Sequence, residues 1–191
     1  DGDESFTAHT ITTGADGAYS VYAVDLDGDG DIDVLSSSGS DDKIAWYEND
    51  GASDPSFAAT TITTDADGAY SVYAVDMDGD SDIDVLSASG NDDKIAWYEN
   101  DGSESFTAHT ITTSAGHAHS VYAVDVDGDG DIDVLSASVS DDKIAWYENI
   151  IPPSPFDLVY PLNDTTIILT RDNFLDTLYF AWNQSVDPGG D

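Results

Sequence analysis

No cysteine occurs anywhere in the 191 residues, so the chain has neither a disulfide framework nor a thiolate metal site, and its redox compartment cannot be read directly. Basic residues are almost as scarce. Lys43, Lys94, Lys143 and Arg171 stand against 40 Asp and Glu, a formal net charge of -36. A field of that sign repels phosphate backbones and anionic headgroups, which argues against nucleic acid and membrane surfaces as partners and leaves cations as the natural ones. No apolar run approaches the length of a membrane span, so membrane insertion is not expected. Helical hydrophobic period is missing too, as are the GxSxG, HExxH and phosphate-loop motifs. What the chain does have is 40% hydrophobic residues, enough for a packed core and too many for a disordered acidic tail.

Internal repetition dominates the pattern. Ser20 to Asn49 reads SVYAVDLDGDGDIDVLSSSGSDDKIAWYEN, and Ser120 to Asn149 matches it at 27 of 30 positions. Ser71 to Asn100 matches it at 26 of 30. A Phe-led, Thr-rich segment precedes each copy, starting at Phe6, Phe57 and Phe106, and the spacing from that Phe to the Trp of the unit (Trp46, Trp97, Trp146) is always 40. The period is 51 and then 49, the difference falling within Ala52 to Ser56, where a loop tolerates it and a strand would not. Units run over about 1–49, 50–100 and 101–149.

Four stretches in each unit have strand character: VYAV, DVLS, KIAWYE and the Phe-led FTAHTIT, with Gly, Asp, Ser and Asn between them. Four short strands with their turns account for about 50 residues, which is one four-stranded propeller blade. The expected fold is therefore all-β: a partial β-propeller of three blades, since near-identical copies bury their apolar faces by stacking on one another. A closed propeller needs more blades. Asp1-Gly2 aligns with Asp50-Gly51 in the turn before a last strand, so upstream blades are expected.

The chemistry concentrates in Asp25, Asp27, Asp29, Asp31 and Asp33. Carboxylates at loop positions 1, 3, 5 and 9, with a backbone carbonyl at 7, can wrap six to eight hard oxygens around a cation, the set calcium prefers and magnesium does not. Gly30, at position 6, suits a sharp turn with positive φ. The second loop, Asp76, Asp78, Asp80, Asp82 and Asp84, has Ser81 in that place, at a cost on the order of 1 kcal/mol. The third, Asp125, Asp127, Asp129, Asp131 and Asp133, restores Gly130. About three calcium ions are expected, one per loop. An EF-hand would need an acidic residue at position 12 and flanking helices; here position 12 is Ser36, Ser87 or Ser136, between strands. Without a cation, five carboxylates within nine residues repel one another and the turn opens.

VYAVDLDGDGDIDVLSSS followed by DDKIAWYENDG resembles the FG-GAP or VCBS repeat of bacterial secreted proteins, related to the blades of the integrin α-subunit propeller, over residues 1–149. The resemblance implies a propeller, usually of seven blades, with calcium in the first hairpin of a blade and a role in adhesion, ligand binding or architecture. It fixes no ligand. Two classes stay open: a non-enzymatic calcium-dependent adhesion module with an unknown protein or glycan ligand, and a carbohydrate-binding propeller or accessory module of a polysaccharide-degrading enzyme. Weak calcium sites imply millimolar calcium, which favours a secreted or cell-surface location.

Beyond Asn149 the pattern stops. Residues 150–155 form a Pro-rich linker, and 156–191 resemble the truncated start of a fibronectin-III or immunoglobulin-like β-sandwich, with Trp182 as a core residue. Three other features compete for a role. His117 and His119, two apart on a strand, form a possible zinc pair without an evident third ligand, against ordinary surface drift. His9 and His109 look like strand-face residues. Trp46, Trp97 and Trp146 with Tyr47, Tyr98 and Tyr147 could stack sugars, although a once-per-blade aromatic more often packs between blades. Glu48, Glu99 and Glu148 recur in every unit, which points to blade structure more than to glycosidase acids.

Overall fold

The computed structural model describes residues 4–150. The expected linker after Ile150 and the sandwich-like segment 156–191 lie outside the described residues. Within them are eleven strands and no helix: β1 (Ala18–Val24), β2 (Asp33–Ser38), β3 (Lys43–Asn49), β4 (Phe57–Thr63), β5 (Ala69–Val75), β6 (Asp84–Ser89), β7 (Lys94–Asn100), β8 (Phe106–Thr112), β9 (Ala118–Val124), β10 (Asp133–Ser138) and β11 (Lys143–Tyr147). They form antiparallel sheets in the orders β1-β2-β3-β4, β5-β6-β7-β8 and β9-β10-β11.

Each sheet is a meander because its strands are short, β-branched and aromatic, and its turns are built from Gly, Asp and Asn. The sheets stack face to face with their first strands side by side, β1 beside β5 beside β9, while β2 packs on β5 and β6 on β9. This is a run of blade-like sheets. One hydrophobic cluster joins Leu26, Leu35, Ile44 and Trp46 of the first sheet to Val72, Ala74 and Val85 of the second. Another joins Met77, Leu86 and Ile95 to Val121, Ala123 and Val134 of the third. Every residue of β6 is buried, as expected for a strand covered on both faces, whereas β11 alternates half-buried and exposed because, among the described residues, only one face has a neighbour.

Two expectations need correction. The Phe6 segment is not a strand, and Phe6 is 94% exposed. Its counterparts β4 and β8 are strands because each pairs with the Trp-bearing strand before it, β3 or β7, and no such strand precedes Phe6 among the described residues. For the same reason the third sheet has three described strands, since the Phe-led sequence does not recur after Asn149.

The Asp-Asp-Lys turn between the second and third strands fastens the stack. Lys43 Nζ bonds the Gly14 carbonyl at 2.9 Å and the Asp41 carboxylate at 2.6 Å, holding the entry to its own sheet. Asp42, at φ 56°, accepts the Gly68 N–H at the entry to the next sheet, and its carbonyl accepts the Ala66 N–H. Asp93 repeats this with His117 and Ala115.

Candidate metal centres

The acidic loops lie between the first and second strands of each sheet, between β1 and β2, β5 and β6, and β9 and β10. Their backbones are organised by the aspartates themselves. Asp27 Oδ1 accepts the Asp29 N–H at 3.1 Å, and Asp29 Oδ1 accepts the Asp31 N–H at 2.8 Å. Asp25 Oδ2 reaches across the loop to the Gly30 N–H at 3.0 Å, as Asp76 does to Ser81 and Asp125 to Gly130. This closes the turn with position 6 at φ 95° in Gly30 and Gly130 and at φ 83° in Ser81, the glycine-like geometry that the sequence predicts.

The loops bring ligand atoms together in three groups: Asp25, Asp27 and Asp29; Asp76, Asp78 and Asp84; Asp125, Asp127 and Asp133. Within each group one carboxylate oxygen per residue lies within 4.8 Å of the others. Asp33 is not in the first group, nor are Asp80 and Asp129 in the second and third. Asp31, Asp82 and Asp131 fall outside all three. The Asp31 and Asp82 carboxylates instead lie against Gly51 and Gly102.

Position 9 does more than the sequence suggests. Asp33, Asp84 and Asp133 are fully buried. Asp33 accepts the Leu26 N–H at 3.1 Å and the Asn49 N–H at 2.8 Å, tying the loop to the end of β3. Asp84 does the same for Met77 and Asn100, and Asp133 for Val126 and Asn149. Beside it, position 2 carries Leu26 or Met77, which are buried in the cores between sheets. An apolar residue at position 2 of an acidic loop, recurring as Leu26, Met77 and Val126, was the available sequence signal.

The donor set fits a hard divalent cation. It is all oxygen, and Asp25 Oδ1 is shielded from solvent without a hydrogen-bond partner, the state of an oxygen shaped for a ligand that is not a hydrogen-bond donor. Burial first, and then neighbouring carboxylates, push Asp27 and Asp78 above the ordinary range. Asp84 is pushed up to about 6, again mainly by burial and against the pull of the Asn100 and Met77 N–H groups. A cation among these groups would offset that cost. Position 12 offers it nothing: Ser36, Ser87 and Ser136 sit in strands with their hydroxyls against Tyr47, Tyr98 and Tyr147.

The aromatic and histidine candidates differ from sheet to sheet, and Trp146 is 45% exposed. Trp46 is fully buried between sheets, while Trp97 stacks on His109 at 4.6 Å. His109 Nε2 pairs with Glu99 at 2.6 Å. His119 stacks on Tyr70 of the neighbouring sheet at 5.0 Å, and His117 bonds the Gly90 carbonyl through Nδ1. Neither belongs to a metal-holding group among the described residues. Tyr19, Tyr70 and His119 are bulge residues in a row, Tyr19 meeting Tyr70 edge-on and Tyr70 stacking on His119, and Gly39 and Gly90 make room for the two tyrosine rings. Where the smaller His119 takes the place of tyrosine, Val139 stands in place of that glycine.

Stacked antiparallel sheets that each carry an aspartate-rich loop in their first hairpin define a blade-repeat protein. Residues 25–87 and 76–136 match the FG-GAP-like repeat, together more than half of the chain. The chain belongs to the FG-GAP-like repeat family. Comparison with curated proteins returns no match.

Proposed function

We propose that this chain is a calcium-stabilised structural and adhesion module of a secreted or cell-surface protein, without catalysis of its own, that presents its loops to a protein or glycan ligand. One observation carries the reading: three loops each converge carboxylates within 4.8 Å, and the first holds a buried Asp25 oxygen that no hydrogen bond satisfies. The residues of each group would hold calcium with the position-7 carbonyl and water completing its shell. Because Leu26 and Met77 run from these loops into the cores between sheets, ordering a loop also orders a junction.

At ten- to a hundred-fold excess over the dissociation constant each site would contribute roughly 1.4 to 2.7 kcal/mol. Thermal unfolding in millimolar calcium and after chelation tests this. Chelation is expected to lower the melting temperature by about ten degrees or more. Identical melts, with no heat on calcium titration, would sink the reading.

A glycan ligand has one observation in its favour, a groove of about 310 Å³ between the second and third sheets lined by Trp97, Tyr147, Met77, Asp78 and Glu148. Glycan-array binding that Trp97→Ala abolishes would support it, and binding to protein partners alone would remove it.

A further inference from the structure

A phenylalanine from a fourth strand closes the junction between the first two sheets. Phe106, at the start of β8, packs on the cluster that holds Leu26, Trp46, Val85 and Tyr98, with Ile62 also against it. One unit further on, Met77, Trp97, Val134, Tyr147 and Ile111 hold the same places between the second and third sheets. There, together with Ile150, they line an open groove of about 310 Å³, and Trp97 is half-buried where Trp46 is fully buried. The groove is the counterpart of the seat of Phe106, with no phenylalanine among the described residues to fill it. β11 carries a second sign. It is two residues shorter than β3 and β7, whose final Glu48-Asn49 and Glu99-Asn100 pair only with the fourth strand. Among the described residues its outer edge has no partner.

We propose that Phe156 fills this groove and that residues 156–162 run antiparallel along β11 as the fourth strand of the third sheet. The Thr-rich sequence does not recur after Asn149, but its leading phenylalanine does. From the Asn that ends the Trp-bearing segment to the next Phe is eight residues in the first unit, six in the second, and seven from Asn149 to Phe156. Ile150 already lines the groove, and the six residues from there to Phe156 reach about 20 Å when extended, enough for the ring to return to it. The bulge agrees as well. Ile62 and Ile111, five residues after their Phe, are skipped in the pairing with β3 and β7, and the fifth residue after Phe156 is Pro161. A bulge on an edge strand is where proline, lacking an N–H, is tolerated. The turn differs, since Ile150-Ile151 and three prolines replace Asp50-Gly51 and Asp101-Gly102, so what carries over is the strand and its phenylalanine. Asp157 falls opposite Glu148, where Ala58 and Thr107 face Glu48 and Glu99, and this like-charge pair weakens the strand. The proposal goes beyond calcium binding, and it assigns to the chain itself the groove that a glycan would otherwise occupy.

Nuclear magnetic resonance on the 191-residue chain in millimolar calcium tests it. The Trp97 indole N–H signal, assigned by its loss in Trp97→Phe, is expected to shift in Phe156→Ala and to stay in place in Phe174→Ala, which alters the same tail elsewhere. Because the chain has no cysteine, paired substitutions read the register. Glu148→Cys with Asp157→Cys is expected to close a disulfide on mild oxidation. Glu148→Cys with Val159→Cys, two residues out of step and with Cβ atoms about 7 Å apart, is expected to stay reduced. Asp157→Thr is expected to raise the melting temperature by relieving Glu148. A Trp97 signal that ignores Phe156→Ala, or that moves equally in Phe174→Ala, overturns the proposal. So do equal disulfide yields in the two pairs, a melting temperature that Asp157→Thr lowers, or glycan binding at Trp97 in the wild-type chain.

Discussion

The Gly68 N–H donates to Asp42 Oδ1 at 2.9 Å across the junction of the first two sheets, and Asp42 holds that position in the left-handed region at φ 56°. A hydrogen bond to a charged acceptor contributes on the order of 1.5 to 3 kcal/mol where it is shielded, and less where water competes. Asp42→Ala removes the acceptor and places alanine in a conformation it disfavours, so a loss of about 2 kcal/mol in urea unfolding is expected. Asp42→Asn keeps an acceptor and tolerates positive φ, and it should cost much less. Faster hydrogen exchange at Gly68 in the alanine variant would locate the loss at the junction.

Asp33 is expected to be the most sensitive aspartate of the first loop, ahead of the more exposed Asp27 and Asp29. Its removal leaves the Leu26 and Asn49 N–H groups without their acceptor in a buried place. Asp33→Ala should therefore cost about 2 to 4 kcal/mol even in calcium-free buffer, where Asp29→Ala should cost little. A loss for Asp33→Ala without calcium as small as that for Asp29→Ala would show that position 9 acts through the cation alone.

Ser81→Gly should stabilise the chain by about 1 kcal/mol, because Ser81 holds φ 83° where the other loops have glycine. The equivalent space beside Gly30 is open, so the penalty at Ser81 is one of backbone conformation and not of crowding. Calcium titration should show the weakest of three sites tightening in this variant, while Gly30→Ser should weaken the first.

Calcium-free and calcium-loaded protein should respond to pH in opposite directions. Asp84 titrates at about 6 in the folded chain against 3.8 as its ordinary value, because burial penalises its charge. Between those values the folded state keeps a proton that the unfolded state has released, so this residue makes the calcium-free chain less stable as pH rises from about 4 to about 6. Calcium needs the ionised carboxylate, and its affinity should rise over the same interval. Melting calcium-depleted protein at pH 5 and pH 7 should give the higher midpoint at pH 5, with Asp84→Asn reducing the difference. A calcium-free midpoint that climbs toward pH 7 would contradict the assignment.

Much of the site was legible because its determinants are local. Asp25 to Asp33 and their two repeats place ligands by spacing within nine residues, and the positive φ at Gly30 follows from a turn that short. Reading Asp33 as a simple ligand missed its main contact, the Asn49 N–H at the far end of β3, since the third strand's register is set by sheet pairing. The Asp-Asp-Lys turn escaped notice because its partners, Gly14 and Gly68, lie in segments before β1 and β5 that share no local pattern with it.

Strand, loop and repeat were determined by the amino-acid sequence alone, since alternation, turn residues and a period near 50 act over short stretches of chain. Tertiary structure decided what identical residues became. Trp46 and Trp146 share a local sequence, yet one is fully buried and the other 45% exposed. Burial is a property of what lies across a face, and a neighbouring sheet covers Trp46 where none covers Trp146 among the described residues.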